Sequence, residues 1–246
     1  MTEFWPGRFA GQVALVTGAL GGLGSAAVRR LQTEGATVIR TDVRIAVDAL
    51  GDPEPSVSLD VTDPQGWQAV VSGIQDTFGR IDGLLMCHGA QGPERPVEEV
   101  PVAGWQRTLE INLSGCFYGL QAVVPVMKAA QYGRIAVLSS IAGRDGNENM
   151  AAYSVSKAGV IALVKSVAKE TARHSITVNA VVPAMMDTPL LADLSPERNA
   201  MLLARVPMGR TGTPDEFAAM AAWLLSPECS FTTGQGFDLS GGRYTG

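Results

Sequence analysis

The chain has 246 residues, 46% of them hydrophobic, and a formal net charge of −5 at pH 7. This length suits one large α/β domain over residues 1–246 better than two small ones, and the acidic charge argues against nucleic acid as a partner. No membrane span or apolar signal core is recognisable, and three widely separated cysteines (Cys87, Cys116 and Cys229) suggest reduced thiols, so we expect a cytoplasmic protein with no metal site.

Apolar runs typical of buried strands alternate with helical patterns from one end of the chain to the other. The predicted strands are Val13–Thr17, Thr37–Thr41, Ser56–Leu59, Gly83–Cys87, Arg134–Ser139, Thr177–Val182 and Gly236–Leu239. The predicted helices are Gly22–Glu34, Pro64–Phe78, Val102–Ala130, Met150–Arg173 and Pro214–Leu225. This alternation predicts an α/β fold with a doubly wound parallel sheet of about seven strands and helices on both faces.

A glycine-rich turn joins the first predicted strand to the first predicted helix. Such a turn lets the backbone approach a pyrophosphate closely, and the helix N-terminus offers free amides and a partial positive charge. We therefore expect a dinucleotide here, in contact with Gly18, Leu20, Gly21, Gly22, Leu23 and Gly24. Ligands of parallel sheets bind at the carboxyl ends of the strands, where Asp42, Asp60, His88, Ser140 and Pro183 also lie.

Tyr153 and Lys157 are four residues apart in a predicted helix, which puts both side chains on one face. A phenol titrates near ~10, and a cation beside it favours the phenolate, so this pair is suited to proton transfer. Ser140 lies thirteen residues upstream at the end of a strand, and Asn112 interrupts an otherwise apolar helical segment. Ser139 points to the opposite side of the strand from Ser140.

These motifs together resemble the short-chain dehydrogenase/reductase family. Its pattern is Thr-Gly-x-x-x-Gly-x-Gly, then a catalytic Asn, a Ser and Tyr-x-x-x-Lys, and the resemblance extends from about Phe9 to Gly242. It implies a single-domain Rossmann-type fold and an NAD(P)-dependent oxidoreductase that interconverts a secondary alcohol and a ketone. It also implies a homotetramer that pairs the helices carrying Asn112 and Tyr153.

The resemblance assigns a role to each residue of the catalytic set. Tyr153 is the general acid/base, and Lys157 favours its phenolate and holds the nicotinamide ribose. Ser140 hydrogen-bonds the substrate oxygen. Asn112 distorts its helix and seats a water that connects Lys157 to solvent.

Asp42 stands where the family distinguishes NAD from NADP. A carboxylate there accepts hydrogen bonds from the ribose hydroxyls and repels a 2′-phosphate. Gly21 occupies the position of an arginine common in NADP-using relatives. Of the two arginines nearby, Arg40 is expected to point away from the site and Arg44 into solvent, so we expect NAD (NADH).

The remaining expected cofactor contacts come from four places in the chain. By resemblance, Asp60 and Val61 contact the adenine, and Met186 and Thr188, after Pro183, hold the carboxamide. Cys87, His88 and Gly89 contribute mainly backbone. The family usually reads Asn-Asn-Ala-Gly at residues 86–89, where this chain has Met-Cys-His-Gly, so packing is expected to replace hydrogen bonds and His88 to make a local hydrogen bond.

Residues 184–210 are expected to cover the substrate. Their apolar side chains, together with Met150, favour an apolar alicyclic or aryl substrate: Met185, Met186, Leu190, Leu191, Leu194, Met201, Leu202 and Leu203. The charged residues of this segment are expected to face solvent: Asp187, Asp193, Glu197, Arg198 and Arg205. A carboxylate-bearing substrate would instead need one of these arginines, or Arg144, as its anchor.

Two alternatives remain. The first is a 3-oxoacyl-carrier-protein reductase-like enzyme, which would need basic residues for its acidic carrier and generally NADPH. Gln131 and His174 stand where we expect those arginines, and Asp42 opposes NADPH. The second is a non-catalytic NAD-sensing regulator, against which the complete catalytic set argues.

Overall fold

The computed structural model describes residues 5–189 and 196–245, and the side chains of 196–198 are outside that description. Within the described part, seven strands form one parallel sheet in the order β3-β2-β1-β4-β5-β6-β7. The strands are β1 (Val13–Thr17), β2 (Thr37–Asp42), β3 (Ser56–Ser58), β4 (Gly83–Met86), β5 (Gly133–Leu138), β6 (Ile176–Pro183) and β7 (Gly236–Leu239). The predicted α/β fold is confirmed, and each strand lies within one residue of its predicted bounds.

Helices cover both faces of this sheet. They are α1 (Gly22–Thr33), α2 (Pro64–Phe78), α3 (Val102–Leu109), α4 (Gly115–Ala130), α5 (Ala142–Asp145), α6 (Ala151–Thr171), α7 (Pro196–Leu203) and α8 (Pro214–Leu225). Two of these helices begin at well-formed caps, because Asp63 accepts a bond from the amide of Gln65 and Thr213 forms a reciprocal capping box with Glu216. The four-residue helix α5 has no counterpart in the sequence prediction.

The predicted helix Val102–Ala130 is interrupted. A π-helical turn, Glu110–Ser114, separates α3 from α4, and Asn112 lies at its centre. A π-helical turn contains more residues than an α-helical turn, so it changes the direction in which the surrounding side chains point. The expectation that Asn112 interrupts its helix is therefore confirmed, although the helical path continues on both sides.

The sheet is buried on both faces, which explains why its strands are continuous apolar runs. Neighbouring residues of β1 pack into different layers: Leu15 joins the core that contains Trp67, and Val16 joins the core that contains Phe217. The strand order reverses between β1 and β4, and Thr17 is in register with both Thr41 and Met86. The strand ends at this reversal open the crevice where ligands of such sheets bind.

One stretch of the described residues, Ala151–His174, has the length and hydropathy (mean 1.2) that would suit a membrane span, which the sequence analysis did not anticipate. It comprises α6 and the turn after it, and it packs against β6 and α5. It also buries Ser156 and Lys157 inside the protein. These contacts are those of a core helix in an α/β sheet.

Candidate active site

The glycine-rich turn after β1 is packed too closely for larger residues. Gly18 has a φ of +63°, and a Cβ there would lie 2.8 Å from the amide nitrogen of His88. A Cβ on Gly24 would overlap the carbonyl of Gly18, and one on Gly22 would lie 3.0 Å from the side chain of Thr188. The turn therefore exposes backbone at the N-terminus of α1, and this cradle fits the pyrophosphate of a dinucleotide.

Asp42 ends β2 beside this turn and is almost fully buried. Its carboxylate accepts a bond from the amide of Leu20 at 3.3 Å and two from the guanidinium of Arg44, at 2.9 and 3.0 Å. Burial opposes ionisation of Asp42, but the bonds and charge of Arg44 outweigh it, so the pKa of the carboxyl lies below its usual value. Arg44 is exposed, as expected, with 60% of its side chain accessible, and it also forms a bidentate pair with Asp42.

Arg40, the other nearby arginine, is turned away from the turn. Its guanidinium pairs with the carboxylate of Glu54 at 2.9 Å and donates to the carbonyl of the same residue at 2.8 Å. The expected orientation of Arg40 therefore agrees with the structure.

Asp60 and Val61 follow β3. Asp60 accepts bonds from the amide and the hydroxyl of Thr62, and these bonds lower its pKa. Asp63, and not Asp60, caps the following helix. Val61 is buried, and its carbonyl accepts a bond from the indole of Trp67. An adenine contact at Asp60 and Val61 remains a prediction.

His88 is turned into the protein. Its Nδ1 shares a 2.6 Å hydrogen bond with the hydroxyl of Thr17, and its Nε2 lies 3.5 Å from the sulfur of Cys116. Burial, with a smaller contribution from the charge of Lys157, lowers the pKa of His88 to about 3. The imidazole is therefore neutral at physiological pH, and the expected local hydrogen bond is present. Its backbone remains beside Gly18, where a cofactor contact is predicted.

Met86 and Cys87 precede His88 and fill space in the core. Met86 is buried at the end of β4, and Cys87 borders the cavity described below. Burial raises the pKa of the Cys87 thiol to about 12, so it is not a thiolate nucleophile. Packing thus occupies the positions where the family usually has asparagine side chains.

Asn112 connects three parts of the site. Its amide group donates to the carbonyl of Ala90 at 2.8 Å and to the hydroxyl of Ser156 at 3.0 Å, and its oxygen accepts from the amide of Ala90 at 2.7 Å. Gly89 lies beside it, since a Cβ there would be 3.4 Å from both Asn112 Oδ1 and Lys157 Nζ. The π turn thereby holds the loop after β4 against α6.

The two serines after β5 have different partners. Ser139 donates its hydroxyl to the carbonyl of Lys157 at 2.8 Å. The hydroxyl of Ser140 accepts a bond from the amide of Ala142 at 3.2 Å and keeps its own proton available. This difference supports Ser140 as the serine that meets a substrate.

Tyr153 and Lys157 lie on one face of α6, as predicted. Lys157 is buried, its Nζ donates to the carbonyl of Leu138 at 2.8 Å, and it lies 5.8 Å from the ring centroid of Tyr153. Gly143 of α5 lies directly against the backbone of Lys157, where a Cβ would be 2.6 Å from its carbonyl carbon. Close packing therefore fixes α5 against α6.

One cavity of about 550 Å³ unites these groups. Its predicted lining residues are Gly18, Leu20, Gly21, Gly22, Leu23, Gly24, Cys87, Gly89, Ser140, Met150, Tyr153, Lys157, Pro183, Met185, Met186, Thr188, Met201 and Leu202. Arg205 is exposed, as expected, but it also borders this cavity. Asp42, Asp60, Val61, His88 and Asn112 are described residues that do not line this cavity. Leu190, Leu191, Leu194 and Asp193 lie outside the described residues.

The segment after β6 closes one side of the cavity. The backbone N–H of Asp187 donates to the carbonyl of Gly212 at 2.7 Å. The backbone N–H of Gly212 donates in turn to the carbonyl of Met185 at 2.9 Å. Ala184, which replaces a usual glycine, donates its amide to Leu239 and does not have a positive φ.

Several polar residues of the cavity were not predicted. They are Gln91, Glu94, Asn147, Glu148, Asn149 and Arg243. Among the described residues, no group of three or more His, Cys, Asp or Glu side chains could hold a metal ion.

A family model described as enoyl-(acyl carrier protein) reductase matches residues 18–244. The 2-dehydro-3-deoxy-L-rhamnonate dehydrogenase (NAD(+)) of Sphingomonas sp. (strain SKA58) is 42% identical over 97% of this chain and 98% of its own length. The chain belongs to the short-chain dehydrogenase/reductase family. In this chain the glycine turn and the Tyr-x-x-x-Lys pair of the family pattern border one cavity.

Other relatives in the family are similar over equally long stretches. The cis-4-hydroxycyclohexanecarboxylate dehydrogenase of Sinomonas cyclohexanicum is 39% identical over 95% of this chain and 97% of its own. The 3-oxoacyl-[acyl-carrier-protein] reductase of Vibrio cholerae (serotype O1, strain ATCC 39315 / El Tor Inaba N16961) is 37% identical over 95% and 98%. The crystal structure of gox2181 superposes with a TM-score of 0.90 at 33% identity, covering 96% of each chain.

These comparisons confirm three expectations. The fold is of the Rossmann type, the family is the expected one, and the chain is an NAD-dependent oxidoreductase acting on CH–OH groups.

Proposed function

We propose that residues 1–246 form one catalytic domain that interconverts a secondary alcohol and a ketone of alicyclic or aryl type. The observation that carries this proposal is that one cavity is bordered by the glycine turn, Ser140, Tyr153 and Lys157. The expected cofactor site and the proposed proton-transfer groups thus share one cavity, as hydride transfer requires.

Tyr153 is the proposed general acid/base. In alcohol oxidation its phenolate takes the hydroxyl proton, and in ketone reduction its phenol returns that proton to the oxygen. The buried ammonium group of Lys157 lies 5.8 Å from the centroid of the Tyr153 ring and is its proposed partner. Ser140 donates its hydroxyl to the substrate oxygen as negative charge develops there.

Asn112 is the proposed link between Lys157 and solvent. Its buried amide and the nearby Gly89 backbone border the ammonium group of Lys157. A water held there would accept the proton that passes from Tyr153 through Lys157.

The cofactor contacts are proposed for the residues around the glycine turn and its neighbours. When bound, NAD accepts or supplies the hydride at C4 of its nicotinamide. The backbone of residues 18–24 would hold the pyrophosphate, and Asp42 would accept bonds from the adenosine ribose. Thr188 and Met186, beside Gly22 and Gly212, would hold the carboxamide end.

The apolar part of the cavity supports a ring-sized substrate. Met150 and Met186 are buried there, and Met185, Met201 and Leu202 complete this side. Thioether side chains adapt to rings of different shape. Two relatives are named for substrates that carry a carboxylate, and one of these substrates is a substituted cyclohexane.

A 3-oxoacyl-carrier-protein reductase is the second candidate, because relatives of that name are 36–37% identical to this chain. The two positions where arginines for the acidic carrier were expected hold Gln131 and His174, which bond to each other at 2.8 Å. Asp42 also disfavours a 2′-phosphate. Both observations support the small-molecule dehydrogenase over this alternative.

A homotetramer in the cytoplasm is proposed for the assembly. The helices expected to pair, α4 and α6, expose Phe117 by 46% and Val155 by 47%. Large apolar side chains this exposed are common where a second subunit covers them. Size-exclusion chromatography with light scattering tests this state.

The experiment for the function is NADH formation from a series of secondary alcohols at fixed carbinol chemistry, from 2-propanol to cyclohexanol and 1-phenylethanol. Each added buried methylene should favour binding by about 0.8 kcal/mol until the cavity is full, so kcat/KM should rise with size. Efficiency independent of size would refute the ring-sized substrate. NADH binding without turnover of any alcohol would favour the regulator instead.

A further inference from the structure

We propose that Arg243 anchors a carboxylate of the substrate, so that this enzyme acts on a hydroxy or oxo acid whose reacting carbon lies at Tyr153. This inference rests on the proposed function. It assigns recognition of the substrate's carboxylate to the part of the same cavity that Arg243 borders.

The backbone holds Arg243 firmly in that place. Gly241 and Gly242 before it have φ values of +63° and +86°, and a Cβ on Gly241 would lie 2.7 Å from Val206. The carbonyl of Gly241 accepts the amide of Met208, and the amide of Tyr244 donates to the hydroxyl of Ser240. This turn folds the end of the chain over the cavity and directs the arginine into its lining.

The guanidinium is buried but only partly neutralised. Its side chain is 7% exposed, and its Nε lies 3.6 Å from Asp145 Oδ2, longer than a normal hydrogen bond. One Nη donates to Asn147 Oδ1 at 3.1 Å. Since a guanidinium has five N–H groups, donors remain for a bidentate carboxylate.

The electrostatic surroundings also favour an incoming anion. Burial lowers the pKa of Arg243, Asp145 opposes this effect, and the positive charge of Arg205 adds to it. Arg205 borders the same cavity, so two cations face the proposed site. Glu94 and Glu148 also border the cavity, but both are exposed, and solvent therefore screens their repulsion.

A short path connects the anchor to the chemistry. Asn147, whose side-chain oxygen accepts from Arg243, donates its backbone N–H to the hydroxyl of Ser154 at 3.0 Å, and Ser154 is adjacent to Tyr153. Arg243 and Tyr153 both border the cavity, and residues 147–150 line it as well. A substrate held at both points would have its carboxylate at one end and its carbinol or carbonyl carbon at the other.

The two arginines considered from sequence are less suited to this role. Arg144 donates to the carbonyl of Gly236, pairs with Asp238 and stacks on the ring of Tyr244. Arg205 is exposed and can only assist. Arg243 combines burial with a place in the cavity lining.

The test compares cis-4-hydroxycyclohexanecarboxylate with its neutral carboxamide, by NADH formation, in the wild type and in Arg243→Met. We expect the wild type to favour the acid by at least ~10-fold in kcat/KM, and Arg243→Met to lose at least ~10²-fold on the acid, mainly through KM. Activity on the carboxamide should change by less than about 3-fold. Arg243→Lys should recover part of the acid activity, since it restores charge without the planar fork.

Arg173→Met is the matched control, because Arg173 is exposed near the opposite end of α6. Equal losses on acid and carboxamide, or a wild type that does not distinguish them, would overturn the proposal. If Arg243→Met fails to fold, binding of cyclohexanecarboxylate and cyclohexanecarboxamide to the wild-type enzyme with NADH decides, and equal affinities again overturn it. If the wild type oxidises cyclohexanol but Arg243→Met loses no more activity on the acid than on the carboxamide, the proposed function stands and only the anchor is refuted. If the wild type oxidises no alcohol, the proposed function itself is refuted.

Discussion

At the scale of single residues, the environment of Lys157 supports the proton-transfer role proposed for Tyr153 and Lys157. Its ammonium is withdrawn from water, with one described bond to the carbonyl of Leu138 and the ring of Tyr153 within 5.8 Å. A cation in such surroundings attracts a neighbouring negative charge more strongly than a cation in bulk water does. Ser140 lines the same cavity, and its hydroxyl is the proposed donor for the substrate oxygen.

Replacing Tyr153 with Phe keeps the ring and removes the transferable proton. Turnover should fall by at least ~10², while NADH affinity changes little. Steady-state kinetics and NADH fluorescence titration measure the two quantities. Tyr118→Phe is the control, since that hydroxyl bonds to Glu110 and is remote from the cavity lining. Near-normal turnover of Tyr153→Phe would rule out the assigned role.

The Asp42–Arg44 pair determines how the enzyme should choose between cofactors. The wild type should use NAD at least roughly 10²-fold more efficiently than NADP, because a 2′-phosphate beside a carboxylate is strongly disfavoured. Asp42→Ala should narrow this gap, mainly by improving NADP use, since it leaves Arg44 free to meet the phosphate. The double variant Asp42→Ala/Arg44→Ala should lose that improvement. Equal use of both cofactors by the wild type would contradict this prediction.

At the scale of elements, the π turn between α3 and α4 joins the loop after β4 to α6. Asn112 satisfies both backbone groups of Ala90 and also reaches Ser156. A regular helix over Val102–Ala130 would aim this side chain differently.

Asn112→Ala should therefore weaken both stability and catalysis. Two partly buried backbone groups of Ala90 lose their partner, and the cost in unfolding free energy is at most about 1–3 kcal/mol for each group that water does not reach. Urea unfolding and kcat measure the two effects. Ser156→Ala removes only one of the three bonds and should have a clearly smaller effect on both. Unchanged stability in Asn112→Ala would show that water replaces its bonds.

Element positions could be predicted well from sequence where local chemistry determines them. Proline after a capping residue fixed the start of α2 at Pro64 and of α8 at Pro214. The short helix Ala142–Asp145 was missed because four residues carry no readable period. Spacing placed Ser140, Tyr153 and Lys157 correctly on their elements.

Long-range partners could not be predicted in the same way. The bidentate bond of Arg44 depends on how the chain turns after β2, and periodicity contains no signal for it. Arg243 was overlooked because it follows the last strand, and only the packing of Gly241 against Val206 brings it to the cavity. The sequence offered one hint of this placement, the two adjacent glycines Gly241 and Gly242 before Arg243.

At the scale of the whole molecule, burial of His88 makes stability depend on pH. Its pKa is about 3 in the native protein and near ~6.5 in an unfolded chain. Below pH ~6.5 the unfolded chain therefore binds more protons than the native one, and stability falls as the pH drops towards 3.

His88→Gln should remove this dependence, because glutamine does not titrate and can still bond to Thr17. Between pH 7 and pH 4.5 the wild type should lose on the order of 2 kcal/mol more unfolding free energy than the variant. Urea titrations at both pH values provide the comparison. His174→Gln, at an exposed histidine, should behave like the wild type. Identical losses in the wild type and His88→Gln would show that another group causes the acid sensitivity.

The two bonds that cross between β5 and α6 have a consequence for how such an enzyme can diversify. Lys157 donates its Nζ to Leu138, and Ser139 donates its hydroxyl to Lys157, so the reactive pair is secured by the scaffold itself. The side chains proposed to select the substrate lie elsewhere, on the segments around Met150, Met201 and Arg243. Natural or laboratory selection could therefore vary those three segments and acquire new substrates, while the inherited reaction remains intact.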